Sequence, residues 1–161
     1  MRRYLDLPER VRRRLVLEND EVSWSAAEVL AIHERTGVPL VFDNLHHRVN
    51  NPSGWDAVGA LRTFFATWAE RQTPKIHFSS QRTADRLQAK KDRSSGARIT
   101  ATVPPRAGQH DDFIDAQEFI ALADGLGDLA FDVMLEAKRK DVALLCLRDH
   151  LAAAGRGELA W

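Results

Sequence analysis

Short apolar runs alternate with longer amphipathic stretches along this chain, and each of four runs ends in an acid or a histidine. Leu15-Val16-Leu17 runs into Glu18, Leu40-Val41-Phe42 into Asp43 and then His46, Ile76 into His77, and Val133-Met134-Leu135 into Glu136. Runs of this length are a strand signal, and they predict strands over 14–18, 40–43, 75–78 and 131–136. Between them, Ser25-Ala26-Ala27-Glu28 is a capping box that opens a helix, and Gly37 and Pro39 stop it near residue 36. Apolar groups at Trp55, Val58, Leu61, Phe65 and Trp68 predict a helix over 55–70, broken by Thr73-Pro74. The polar segment 79–109 reads as a functional or disordered loop, with a short helix near 82–92. Further helices are expected over 112–122 and 138–152, and the tail after Ala154 is expected to fray.

Strands alternating with helices predict an α/β fold with a parallel sheet. Right-handed crossovers then bring every carboxyl end to one edge. Glu18, Asp43, His46, His77 and Glu136 would meet there, and carboxylates with imidazoles form the mixed oxygen and nitrogen set of a divalent-metal site. Taken singly, each has an ordinary reading. Glu18 can face a helix dipole, Asp43 can serve a turn, His46 and His47 can be surface groups, and His77 can be a satisfied core histidine. Four strand ends that all carry a donor favour the metal site. His47 is one residue out of phase with His46 and reads as a support or a substrate contact. His33 and His150 fall mid-helix and are expected to face solvent. Four strands do not close a barrel. A (β/α)8 TIM barrel takes about 250 residues, so these 161 residues read as its second half.

Charge changes this picture only through its distribution, since 23 basic residues balance 23 acidic ones. Residues 81–106 carry Arg82, Arg86, Lys90, Lys91, Arg93, Arg98 and Arg106 against Asp85 and Asp92, and residues 1–14 are also arginine-rich. A basic segment beside a metal edge suits a polyanionic substrate. By charge alone, a solvated surface loop explains it better. The single cysteine, Cys146, excludes a disulfide framework and a thiolate metal site, and is expected to be a small buried residue. No apolar run approaches the ~20 residues of a membrane span and no secretory h-region is visible, so a cytoplasmic protein without a membrane partner is the expectation.

Five stretches carry a resemblance: RLVLEND at 14–20, GVPLVFDNLHHRVN at 37–50, TWAERQTPKIHFSS at 67–80, HDDFID at 110–115 and DVMLEAKRKDVALLCLR at 132–148. Together they resemble the carboxyl-terminal half of the UV damage endonuclease family, a relative of the endonuclease IV type of nuclease. The resemblance implies a metal-dependent barrel that nicks damaged double-stranded DNA 5′ to ultraviolet photoproducts. It implies Glu18, Asp43, His46, His77, His110 and Glu136 as ligands of two or three divalent ions, with manganese the expected metal. Glu18 and Glu136 become bridging catalytic carboxylates, and Lys75 a catalytic group beside the metals. The DNA would be held by His47, Arg82, Arg86, Lys90 and Lys91. Residues 1–154 would form the half-domain and 155–161 its tail. The family's first half supplies further ligands and the residues that probe damage, so an absent amino-terminal half of the same barrel is the expected partner. The chain alone is then expected to be inactive. Two other readings stand beside this one: a xylose-isomerase-like sugar isomerase barrel, and a non-catalytic truncated half-barrel.

Overall fold

The protein is described from a computed structural model covering residues 2–68 and 72–159. Two short helices, α1 (Arg2–Leu5) and α2 (Glu9–Arg12), precede the repeating part of the chain. Then come β1 (Leu17–Glu18), α3 (Ala26–Thr36), β2 (Leu40–Asp43), α4 (Asn44–Val49), α5 (Ala57–Phe65) and β3 (Lys75–Phe78). A hairpin, β4 (Arg86–Lys91) and β5 (Arg98–Val103), interrupts the alternation, which resumes with α6 (Ala116–Leu126), β6 (Asp132–Leu135) and α7 (Asp141–Ala153). A 3-10 turn over Gly157–Leu159 follows.

The sheet has the order β1-β2-β3-β6, parallel throughout. Its register sets Glu18 against Val41, Asp43 against His77, and His77 against Met134. Alternate side chains of a strand take opposite faces. Leu40, Phe42, Ile76 and Phe78 therefore point at the helices, and each is at most 1 % exposed. Leu40, Phe42 and Ile76 pack with Leu61 and Phe64 of α5 in one cluster, while Phe78 packs with Phe119, Leu147 and Leu151 of α6 and α7 in a second. The other face carries Val16, Glu18, Val41, Asp43, Lys75, His77, Asp132 and Met134, of which Val41 and Asp43 are buried. No helix among the described residues covers it. Val16 and Met134 are 42 % and 57 % exposed, and a cavity of about 1,020 Å³ runs along this face.

The four expected strands are present, with β1 trimmed to two residues and β6 to four. The helix expected near 82–92 is instead the first strand of the β4–β5 hairpin. Its turn is held by the Asp92 carboxylate, which accepts from the backbone N–H and hydroxyl of both Ser94 and Ser95. The helix expected from 112 starts at Ala116, because Asp115 caps it by accepting from the Gln117 and Glu118 N–H groups. The helix expected over 55–70 spans Ala57–Phe65, and residues 69 and 70 lie outside the described residues. The tail expected to fray forms the 3-10 turn, and Leu159 packs against the second cluster. The last two residues lie outside the described residues. Cys146 is half-buried rather than buried, with its sulfur 3.9 Å from His150 Nε2. His33 is only partly exposed, and its Nδ1 lies 2.8 Å from the Val38 carbonyl oxygen just past the end of α3.

Candidate metal centre

The carboxyl ends of the four parallel strands meet at one edge. Glu18 ends β1 and Asp43 ends β2, His77 sits one residue before the end of β3, and Glu136 follows β6 directly. One donor atom from each of Glu18, Asp43 and His77 falls within 4.8 Å of the others. His77 Nδ1 lies 3.0 Å from Glu18 Oε1 and 3.5 Å from Glu136 Oε1. His46 Nδ1 is 3.5 Å from Glu18 Oε1 and 3.6 Å from Asp43 Oδ2. His110 Nε2 reaches Glu136 Oε2 at 3.7 Å. The structure thus brings together Glu18, Asp43, His46, His77, His110 and Glu136.

Local structure explains how each arrives. Asp43 is fully buried, and its Oδ1 caps α4 by accepting from the His46 N–H at 2.8 Å. That cap starts α4 at the rim and turns His46 back over it. One helical residue rotates by about 100°, so the adjacent His47 turns inward. It is 3 % exposed, stacks 4.9 Å from Phe42, and its Nε2 meets the Trp55 carbonyl at 2.8 Å. His47 is a core residue here, away from the surface where a substrate contact was expected. His110 comes from the far end of the hairpin segment, where it bridges to Gln81.

Lys75 is not brought to the cluster. It stands two residues before His77 on the same face, near the amino-terminal end of the sheet, and pairs with Asp132. Arg82 is buried, and its Nη2 donates to the carbonyls of Val103 and Pro104. Arg86 pairs with Asp112. Lys90 and Lys91 are exposed, and strand alternation sends them to opposite faces of the hairpin.

Two residues that belong to this site were not anticipated. Asn19 is fully buried; its amide donates to the Asp43 carbonyl and accepts from the Asp43 N–H, both at 3.0 Å. The Asn19 carbonyl also lies 3.1 Å from His46 Nδ1, the nitrogen on the Glu18 and Asp43 side, and leaves Nε2 on the outer side of the ring. Glu21 Oε2 lies 3.6 Å from that Nε2. Both residues stand in the polar string after Glu18, which marks a loop but not its direction. Asn19→Ala leaves both Asp43 backbone groups buried without partners. It is expected to cost about 2–3 kcal/mol in urea unfolding; a loss below about 0.5 kcal/mol would show that the clamp is dispensable.

The charges are strongly coupled. Burial pushes the Glu18 carboxyl up, yet hydrogen bonds from His46 and His77 outweigh it and hold the group down at about 2. The Glu18 hydrogen bond raises His46 to about 9 despite partial burial, with Asp43 adding to the rise. The same carboxylate raises His77. Burial pushes Asp43 up to about 6, only partly offset by the His46 N–H. Burial lowers His110. Asp43 Oδ2 is buried with no hydrogen-bond partner. A buried, unpartnered carboxylate oxygen aimed among two carboxylates and three imidazoles is a donor set that fits a divalent cation.

The model of the family described as UV-endonuclease UvdE matches residues 1–157. The chain belongs to that family. Two UvdE relatives, both called UV DNA damage endonuclease, show its extent. The protein of Bacillus velezensis is 29 % identical over 151 residues, covering 92 % of this chain and 41 % of its own length. That of Bacillus pumilus is 30 % identical over 164 residues, covering 96 % and 45 %. The crystal structure of SacUVDE superposes with a TM-score of 0.72 at 28 % identity, covering 96 % of this chain and 45 % of that one. The chain thus spans less than half the length of the UvdE relatives it matches. Among the described residues, no helix is long and apolar enough to cross a membrane.

Proposed function

We propose that this chain is the metal-bearing, carboxyl-terminal half of a (β/α)8 barrel that hydrolyses a phosphodiester of damaged duplex DNA, as the names of its relatives suggest. The observation that carries this is the rim itself: six donors from four strand ends and two connecting segments, with the buried Asp43 Oδ2 left unpartnered. Membership in the UvdE family favours the nuclease over the sugar isomerase.

Glu18, Asp43, His46, His77, His110 and Glu136 would hold two or three divalent ions, with manganese our choice. When bound, such ions supply charge neutralisation at the phosphate and activation of water. The chain's own residues do the rest. Glu18 and Glu136 each offer two oxygens and can bridge. The imidazoles complete the shell without adding negative charge, which would repel a phosphate. Asn19 fixes the Asp43 backbone, and Glu21 lies against His46 on the solvent side. Lys75, engaged with Asp132, takes no part in this arrangement.

The open sheet face supports the half-barrel part of the reading. Val16, Met134 and the adjoining cavity would be filled by the remaining strands, and among the described residues both edges, β1 and β6, lack a neighbour on their outer sides. The chain alone is therefore expected to bind manganese but not to nick ultraviolet-irradiated supercoiled plasmid. Addition of an amino-terminal half taken from a longer relative restores nicking. Glu18→Gln keeps the shape of the side chain and removes its charge. It is expected to weaken manganese binding by about 30–100-fold in isothermal titration. Undiminished binding in that variant would remove the metal centre from the proposal, and nicking by the isolated chain would remove the need for a second half.

A further inference from the structure

A second cavity, of about 360 Å³, opens beside the metal rim between the hairpin and the segment after β6. Its wall carries His46 and His110 on the rim side, and Arg82, Arg86, Gln88 and Lys138 on the other. We propose that this cavity is a phosphate subsite, which takes a backbone phosphate of the nucleic acid strand next to the linkage held at the metal rim. The inference rests on the nuclease reading for the identity of the strand, but not for the chemistry of the pocket.

Arg82 carries the argument. Its side chain belongs to a residue only 8 % exposed. Two backbone carbonyls fix its Nη2, at 3.3 and 2.9 Å, and its Nε has no partner. Among the described residues, no carboxylate lies within ion-pair distance of it. Carbonyl dipoles orient a guanidinium but do not cancel its charge, and a buried cation without a counter-ion is costly. An anion in the adjoining cavity removes that cost. A guanidinium, always charged and weakly hydrated, suits a phosphate better than any other side chain.

The rest of the wall agrees in sign. Lys138 is exposed at the mouth, on the same lining as His110. Arg86 is anchored by Asp112, which holds it against the cavity. Glu21 is the one carboxylate of the lining, and it faces His46. Gly108 closes the floor at a φ of +76°, where a Cβ would meet Glu21 Cγ at 3.0 Å. Only glycine gives the loop this turn and this approach. Along β4, Arg86, Gln88 and Lys90 share one face by alternation, so the cationic track continues outward from the pocket. Lys91, on the opposite face, is outside it.

The test uses the whole chain with a fluorescein-labelled duplex in EDTA, so that neither bound metal nor nicking contributes. Anisotropy titrations at several salt concentrations give the slope of log affinity against log salt. Lys138→Gln is expected to flatten that slope by about 0.9, the value for one phosphate contact on duplex DNA. Arg35→Gln, at the far end of α3, leaves it unchanged. In parallel, inorganic phosphate is expected to raise the melting temperature of the metal-free chain more than chloride at equal ionic strength, and Arg82→Gln abolishes that difference. Arg82→Gln could instead unfold the chain, which its circular dichroism would reveal; the exposed Lys138 variant then decides alone. Equal slopes for Lys138→Gln and the parent, with no phosphate effect on melting, overturn the subsite. A phosphate effect with no change in DNA slope assigns the pocket to a free phosphate and overturns the DNA assignment. If manganese-dependent nicking fails even with the amino-terminal half of a longer relative added, while the slopes differ as expected, the nuclease reading falls and the pocket stands.

Discussion

Manganese affinity is expected to rise at least about a thousand-fold between pH 5 and pH 8, because a cation must displace protons that the rim residues hold tightly. His46 dominates this effect. With its pKa raised to about 9 by Glu18 and Asp43, each unit of pH below that value costs it about tenfold in the neutral form that ligates. His77 shifts in the same direction, and Asp43, pushed up to about 6, adds a further proton at the acid end. Titration calorimetry in buffers of different ionisation enthalpy would read both the affinity and the protons released. A flat profile would show that His46 does not ligate.

Stability of the metal-free chain should follow the opposite course. A folded-state pKa above the unfolded one stabilises at low pH. The Asp43 contribution is complete below 3.8 and is lost as pH rises through about 6. That of His46 is complete below 6.5 and is lost as pH rises through about 9. Glu18, held down at about 2, contributes above 4.5 and loses its contribution as pH falls toward 2. The chain in EDTA should therefore melt highest near pH 4.5–6 and lower toward pH 9. Added manganese should widen the gap between the two melting curves as pH increases.

Phe42→Ala is expected to cost about 3–5 kcal/mol in urea unfolding, enough to threaten the fold of a domain this size. Phe42 has no exposed surface, meets Phe64 edge-on at 5.4 Å, and supports the ring of His47. It lies one residue before Asp43, so the hole would open directly beneath the metal rim. Met134→Ala removes a side chain of comparable length from the open face, where the residue is 57 % exposed, and should change the stability of the chain by less than about 0.5 kcal/mol. Similar losses in both variants would mean that the open face is already covered, for instance by a second copy of the chain.

The contrast between these two residues also shows how far a sequence can be read. Leu40-Val41-Phe42-Asp43 is buried at all four positions. A continuous apolar run ending in an acid is what a parallel central strand requires, so β2 and its donor were legible. So were β3 and β6. The hairpin was not. Arg86-Leu87-Gln88-Ala89-Lys90-Lys91 is composed of good helix formers, and its exposed surface gives no alternation to contradict them. Its pairing with Arg98–Val103, which holds Ile99, Thr100, Thr102 and Val103, and the Asp92 turn decide its conformation, and neither lies within 86–91. The roles of His46 and His47 were separable only through α4, whose start depends on Asp43 acting as both cap and donor. Asn19 and Glu21 carried no pattern, because a loop residue is directed by what it touches across the sheet.

The placement of His110 at the foot of the hairpin has a mechanical consequence. Gln81 and His110 pair where the two arms of the excursion rejoin the body, so the bridge that closes the hairpin segment also carries an imidazole 3.7 Å from Glu136. Anything that loosens that closure would disturb the His110–Glu136 contact as well as the hairpin.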